Sequence, residues 1–288
     1  MAGPADYLRL VRFSHTLFAM PFALIALLTA SDGAPGARTL LLVLAALVAA
    51  RTSAMAFNRY VDRDIDAANP RTRNREIPSG VLRPTAVLAL TIGSAAAFVA
   101  VAFALGPLCG ILSMPVLAVL LGYSLAKRFT SLCHLWLGVA LGLAPPAAWV
   151  AVRGVVDASL WAPLCLGLGV TAWVHGFDLL YACQDEAFDR RAGLHSIPAR
   201  YGRAVALRFA AISHVVAAVA FAGYGVLAHL AWPYAAGVIA AVLLLLHEHR
   251  LVRADADLAR IQIAFFRMNA LVSVVLLVAT TFAVYGVH

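Results

Sequence analysis

The chain has 288 residues, of which 63% are hydrophobic and only 12% charged, and it carries a formal net charge of +8. A soluble domain carries roughly 25% charged residues, so a soluble enzyme, a secreted disulfide scaffold and a disordered chain are excluded, and an integral membrane protein is left. The basic balance does not point to nucleic acid, because the charges sit in short segments between apolar runs.

Apolar runs fall at 13–30, 39–57, 85–105, 107–126, 132–152, 160–182, 205–228, 231–247 and 262–286. Nine spans of about 20 residues use about 180 residues and leave enough for loops. The expected fold is therefore all-α: a polytopic bundle of nine transmembrane helices forming a single membrane domain over residues 1–288. The first run reads as a retained helix rather than a signal peptide. With the amino terminus inside, 18 of the 22 basic residues fall on inner segments, from Arg9 and Arg12 to Arg250, Arg253 and Arg260. This asymmetry places the amino terminus in the cytoplasm and, with nine helices, the carboxyl terminus outside. Cys109, Cys133, Cys165 and Cys183 are scattered with no CxxC, so neither a zinc site nor a disulfide framework is expected.

Twelve of the fourteen acids lie on the same inner side, Asp32 and Asp157 excepted, concentrated in two long loops at 58–84 and 183–204. In the first, Asn58, Asp62 and Asp66 are four apart. On a helix they share one face, each about 6 Å beyond the last. Arg51, seven residues before Asn58, is on about the same face. In the second, Asp178, Asp185 and Asp189 are spaced seven and four, again one helical face, with Arg190 and Arg191 following. Asp178 falls within the apolar depth of its run, where a carboxylate is costly and by default functional. Such oxygen clusters are either solvated helix ends or sites for a hard cation. Mg²⁺ shared between carboxylates and a diphosphate relieves two facing clusters best. At the end of the fourth run stand Tyr123, Lys127 and Arg128. Alone, the two cations are ordinary inner-face residues; beside the acids they become diphosphate ligands.

These residues resemble the UbiA superfamily of intramembrane prenyltransferases. The NxxxDxxxD pattern is met by Asn58, Asp62 and Asp66, and it runs into RTRNREIPSG at 71–80. Arg51 stands where the family places an Arg before the motif Asn. The YxxxKR element is met by Tyr123, Lys127 and Arg128, and the second acidic motif by Asp178, Tyr181, Asp185 and Asp189, followed by Gly193 and Ser196. Two positions depart from the pattern: Arg59 stands where many members have Asp, and Glu186-Ala187-Phe188 replaces a run of Asp. The stretch at 181–202 is similar to the subgroup linked to menaquinone made by the futalosine route.

The resemblance implies a bacterial plasma-membrane enzyme with its site toward the cytoplasm. It would move a polyprenyl group from polyprenyl diphosphate to an aromatic hydroxy acid, 4-hydroxybenzoate or 1,4-dihydroxy-6-naphthoate, in respiratory quinone biosynthesis. Mg²⁺ would be held by Asn58, Asp62, Asp66, Asp185 and Asp189. Asp62, Asp178, Tyr123 and Lys127 would serve the chemistry, and Arg51, Arg128, Tyr181, Arg190 and His195 would bind substrate. Asp62 or Asp178 would assist deprotonation of the phenol, and Tyr60, Tyr123 or Tyr181 would stabilise an allylic cation through its ring. The rival readings are another acceptor (1,4-dihydroxy-2-naphthoate, haem or chlorophyllide) and a cation-coupled transporter. Of the remaining polar residues, His175 is a neighbour of Asp178, His247-Glu248-His249 reads as an interfacial helix end, and Arg267 reads as snorkelling or paired with a buried acid.

Overall fold

The structure, a computed structural model, describes residues 3–11, 16–31, 33–251 and 258–286, with side chains starting at Met20 and Arg267 in the helices 16–30 and 258–285. Arg12, Asp32, Arg253 and the Arg260 side chain lie outside the described residues.

Fourteen α-helices follow one another among the described residues: α1 (Pro4–Leu10), α2 (Thr16–Ala30), α3 (Ala37–Val61), α4 (Arg63–Ala68), α5 (Pro84–Leu105), α6 (Pro107–Ala126), α7 (Cys133–Gly142), α8 (Ala144–Arg153), α9 (Trp161–Ala182), α10 (Glu186–Arg191), α11 (Ile197–Tyr201), α12 (Arg203–Leu227), α13 (Trp232–Leu251) and α14 (Leu258–Tyr285). Among the described residues, eight spans are long and apolar enough to cross a membrane. The run expected at 13–30 forms the shorter α2 of 15 residues. The run at 132–152 is split at Leu143 into α7 and α8, because Pro145 and Pro146 cannot donate the backbone hydrogen bonds that would continue α7. Pro84 and Pro107 stand at the first turns of α5 and α6, where a missing N–H costs nothing.

The helices pack in a closed circuit: α2 on α3, α3 on α5, α5 on α6, α6 on α7, α7 on α9, α9 on α12, α12 on α13, α13 on α14, and α14 back on α2. The core lies inside this circuit around Phe22, Trp173, Phe221, Tyr224 and Tyr234. Outward faces carry bare apolar side chains such as Ile111, Val219 and Ile239, as a lipid-facing surface requires.

The α7–α9 contact is closest where glycines meet. A Cβ on Gly167 would lie 2.4 Å from the backbone oxygen of Gly142, and one on Gly138 would lie 2.4 Å from that of Thr171. Absence of side chains lets the two backbones touch, and this contact sets the start of α7 beside the end of α9.

Both acidic segments break where single helices are expected. α3 stops at Val61, Asp62 sits at the joint, and α4 carries Asp66. The helical bonding is carried across the joint, since Asp62 N–H donates to Asn58 O at 3.0 Å and Asp66 N–H to Asp62 O at 2.7 Å. In the second segment α9 ends at Ala182 and Asp189 belongs to the separate α10. Asp178, Asp185 and Asp189 are thus on two helices and a turn rather than on one helical face.

One further expectation is corrected and one is narrowed. Glu248 is not interfacial: it is 1% exposed and accepts a hydrogen bond from Asn269 Nδ2 at 3.0 Å, while His249 Nε2 meets His214 Nδ1 at 2.8 Å. Arg267 is exposed and has no buried acid among its described contacts.

Candidate active site

The ends of α3, α6 and α9, the start of α7, and the segments following α3 and α9 enclose a polar cavity of about 370 Å³. Asn58, Asp62, Asp66, Asp178, Asp185 and Asp189 all line it, so the two acidic segments face one space. The cations Arg51, Arg71, Arg75 and Lys127 and the rings of Tyr123 and Tyr181 line it too. An apolar cavity of about 190 Å³ adjoins it, and Arg51, Met55, Tyr123, Leu137 and Leu141 belong to both walls. A polar chamber therefore opens beside a greasy one, with Arg51 and Tyr123 at the boundary.

Three carboxylates of the polar chamber are held by cations of the same chamber or its rim. Asp62 is bracketed by Lys127 Nζ and Arg128 Nη2, each at 3.1 Å, and accepts from Asn58 Nδ2 at 3.1 Å. Arg75 Nη1 donates to both oxygens of Asp66, at 2.7 and 2.8 Å. Asp185 takes both Nε and Nη2 of Arg71, the former at 2.8 Å, and Asn69 Nδ2 at 3.2 Å. Burial by itself would lower the Arg71 guanidinium, but the hydrogen bonds and charge of Asp185 outweigh it and hold it above its ordinary value. At Asp189 burial pushes the carboxyl up, against the lowering pull of Ser196 and with the added repulsion of Asp185. Asp178 instead meets the His134 imidazole, with Nδ1 2.7 Å from Oδ2.

Of the residues expected from sequence, Arg51, Asn58, Asp62, Asp66, Tyr123, Lys127, Asp178, Tyr181, Asp185 and Asp189 are brought together at this cavity, and Arg128 reaches Asp62 from its edge. Arg190 and His195 do not line it. Arg190 pairs with Glu186 at 2.8 Å and donates to Ala199 O at 3.3 Å. The backbone N–H of His195 donates to Lys127 O at 2.8 Å, which ties the second loop to the end of α6. Tyr60 packs under Arg63, 4.7 Å from its guanidinium carbon, and is off the cavity wall. His175 turns to Ser213 at 2.8 Å. Missed by the sequence reading as site residues were Asn69, Arg71, Arg75 and His134. The two arginines were visible only as inner-face charge, and no spacing rule links His134 to an aspartate 44 residues away.

Among the described residues no three His, Cys, Asp or Glu side chains converge closely enough to enclose a metal ion unaided. The donor set nevertheless fits a hard cation: amide and carboxylate oxygens outnumber the single thiol, Cys133, on the cavity wall, and a phosphate ligand can complete the coordination of Mg²⁺.

Known proteins share the sequence pattern and the fold of this chain. The UbiA prenyltransferase family model matches residues 19–271. The chain is 32% identical over 271 residues to the 4-hydroxybenzoate octaprenyltransferase of Aromatoleum aromaticum, covering 91% of this chain and 89% of that protein. Among solved structures, it is similar to the apo structure of a UbiA homolog from Aeropyrum pernix K1, with a TM-score of 0.83, 30% identity, and coverage of 92% and 96% of the two chains. A UbiA homolog from Archaeoglobus fulgidus bound to GPP and Mg²⁺ shares the fold at a TM-score of 0.71 and 19% identity, covering 96% of this chain and 99% of that one.

Proposed function

The chain belongs to the UbiA prenyltransferase family, and we propose that it transfers a polyprenyl group from polyprenyl diphosphate to a ring carbon of an aromatic hydroxy acid, with Mg²⁺, in respiratory quinone biosynthesis. The acceptor is 4-hydroxybenzoate or 1,4-dihydroxy-6-naphthoate. The reading places the reaction at the cytoplasmic side of a bacterial plasma membrane. The single observation that carries it is the pairing of the two cavities: an acidic and basic chamber for a diphosphate, joined through Arg51 and Tyr123 to an apolar one for a hydrocarbon tail.

Asn58, Asp62, Asp66, Asp185 and Asp189 would hold Mg²⁺, which supplies positive charge against the diphosphate as it leaves. Lys127, Arg128, Arg71 and Arg75 bind non-bridging phosphate oxygens, for which paired guanidiniums are well shaped. Tyr123 and Tyr181 present ring faces to the allylic carbon as it gains positive charge. The apolar wall beyond Tyr123 keeps water from that carbon, so that the phenolic ring captures it instead. Arg51 serves the acceptor's carboxylate, and Asp178 takes the phenolic proton. The relatives named as 4-hydroxybenzoate octaprenyltransferases support the hydroxy-acid acceptor, and the likeness of residues 181–202 to the menaquinone subgroup supports the naphthoate.

The test is an assay of purified protein with Mg²⁺ and a long polyprenyl diphosphate, each acceptor offered in turn and products weighed by mass spectrometry. A C-prenylated hydroxy acid is expected. No prenylated product from either acceptor overturns the assignment, and labelled solute crossing vesicles without product favours a transporter.

A further inference from the structure

His134 opens α7 and Asp178 lies near the end of α9, and the glycine-lined contact between these helices brings Nδ1 to 2.7 Å from Oδ2. Both residues line the polar cavity. The hydrogen of the buried imidazole is fixed by its other nitrogen. Nε2 receives the backbone N–H of Ile197, at the start of α11, at 3.4 Å. A backbone amide only donates, so Nε2 carries a lone pair and Nδ1 carries the hydrogen. His134 Nδ1–H is therefore aimed at one oxygen of Asp178, and Oδ1 makes no hydrogen bond among the described residues.

Three of the other four carboxylates that line the cavity are differently occupied. Asp62, Asp66 and Asp185 each face a guanidinium or an ammonium, which stabilises the anion and leaves it a poor proton acceptor. Both oxygens of each of those three are bonded, whereas Asp178 has one oxygen held by the imidazole and its other oxygen without a hydrogen bond among the described residues.

We propose that His134 is a positioning residue for acceptor activation: it locks Asp178 so that its second oxygen takes the hydroxyl proton of the phenolic acceptor. The inference rests on the prenyl-transfer reading above and selects Asp178 over Asp62 as the base. The steps balance. The O–H electron pair stays on the phenolic oxygen while the proton moves to Asp178. The allylic C–O bond breaks with both electrons going to diphosphate, and a ring electron pair forms the new C–C bond. The ring carbon then loses its hydrogen as a proton to the diphosphate, and its C–H electrons restore the aromatic ring. The oxygen recovers a proton from Asp178, which ends the cycle ionised. His134 keeps its own hydrogen throughout.

The experiment uses full-length protein in lipid nanodiscs, with Mg²⁺, a polyprenyl diphosphate, and 4-hydroxybenzoate or 1,4-dihydroxy-6-naphthoate. His134→Ala is expected to lower kcat roughly 10- to 100-fold with the donor KM unchanged. His134→Asn, whose amide N–H can replace Nδ1–H, is expected to return within about fivefold of wild type. Asp178→Asn should lose roughly a thousandfold, and the double variant His134→Ala/Asp178→Asn should fall no further. With a ring-fluorinated acceptor, whose hydroxyl ionises more readily, the ratio of wild-type to variant kcat should shrink at least about fivefold for both single variants, because less is then asked of the base. Wild-type kcat in His134→Ala overturns the proposal, as does an equal loss in His134→Ala and His134→Asn that acceptor acidity leaves unchanged. If His134→Ala does not fold, the Asp178→Asn ratio decides: a value independent of acceptor acidity overturns it. A wild-type protein that prenylates neither acceptor defeats the prenyl-transfer reading itself, a result distinct from all of these.

Discussion

Asp66 and Arg75 are bound through a single nitrogen, Nη1, which reaches both carboxylate oxygens at 2.7 and 2.8 Å while Asp66 is only 3% exposed. Nine residues of chain separate them, and Thr72 closes the intervening turn by donating its hydroxyl to Asp66 O at 3.0 Å. The pair thus anchors the first long loop to the cavity floor.

Arg75→Ala leaves a buried carboxylate without its cation, and removing one partner of such a pair costs roughly 3 kcal/mol. A lower melting temperature in detergent is expected, and addition of Mg²⁺ with a donor diphosphate should recover part of it. An unchanged melting temperature would show that water reaches Asp66 freely.

Asp62→Asn and Asp185→Asn each remove one negative charge from opposite sides of the chamber. Each should reduce Mg²⁺-dependent prenyl transfer by at least roughly a thousandfold while leaving the protein inserted in the membrane. Product formation near the wild-type rate by either purified variant would sink the assignment of the acidic segments.

Gly167→Ala puts a Cβ 2.4 Å from the Gly142 backbone oxygen, and backbone cannot swing aside as a side chain can. The substitution should destabilise the protein by roughly 1–3 kcal/mol. By parting α7 from α9 it should also lower kcat more than the donor KM. Thermal melting and steady-state kinetics together test it.

Ala46 lines the apolar cavity five residues before Arg51 on α3, about 7.5 Å along the axis. Ala46→Phe should fill that space, raising KM for long polyprenyl donors at least about tenfold and leaving geranyl diphosphate little affected. Equal effects on short and long donors would mean the tail lies elsewhere.

The parts of this site legible in the sequence were those with a short period. Asn58, Asp62 and Asp66 announce themselves at intervals of four, and Lys127 and Arg128 close an apolar run. The breaks at Asp62 and Cys183 were not legible, because neither a proline nor a glycine marks them and the hydrogen bonding runs on across the first. His134 was invisible for a different reason: its partner and its tautomer are set by a glycine contact between helices and by an amide 63 residues away. Glu248 was misjudged from its histidine neighbours, since only the packing of α13 on α14 shows that Asn269 meets it in the interior. The apolar runs themselves predicted every long helix, though not the split at Leu143.

The ion pairs that line the polar chamber also decide how it fills. Asp62, Asp66 and Asp185 already have cations, and Lys127, Arg128, Arg75 and Arg71 already have anions. A bare divalent ion or a bare diphosphate would satisfy one set of partners and strand the other. A metal diphosphate would satisfy both at once, in the manner of a salt metathesis: the carboxylates would move to the metal, the guanidiniums to the phosphate, and the sum of charge in the chamber would hardly change. Such a chamber would discriminate against either half of its ligand arriving alone, and it would return to its own internal pairs each time the product salt departed.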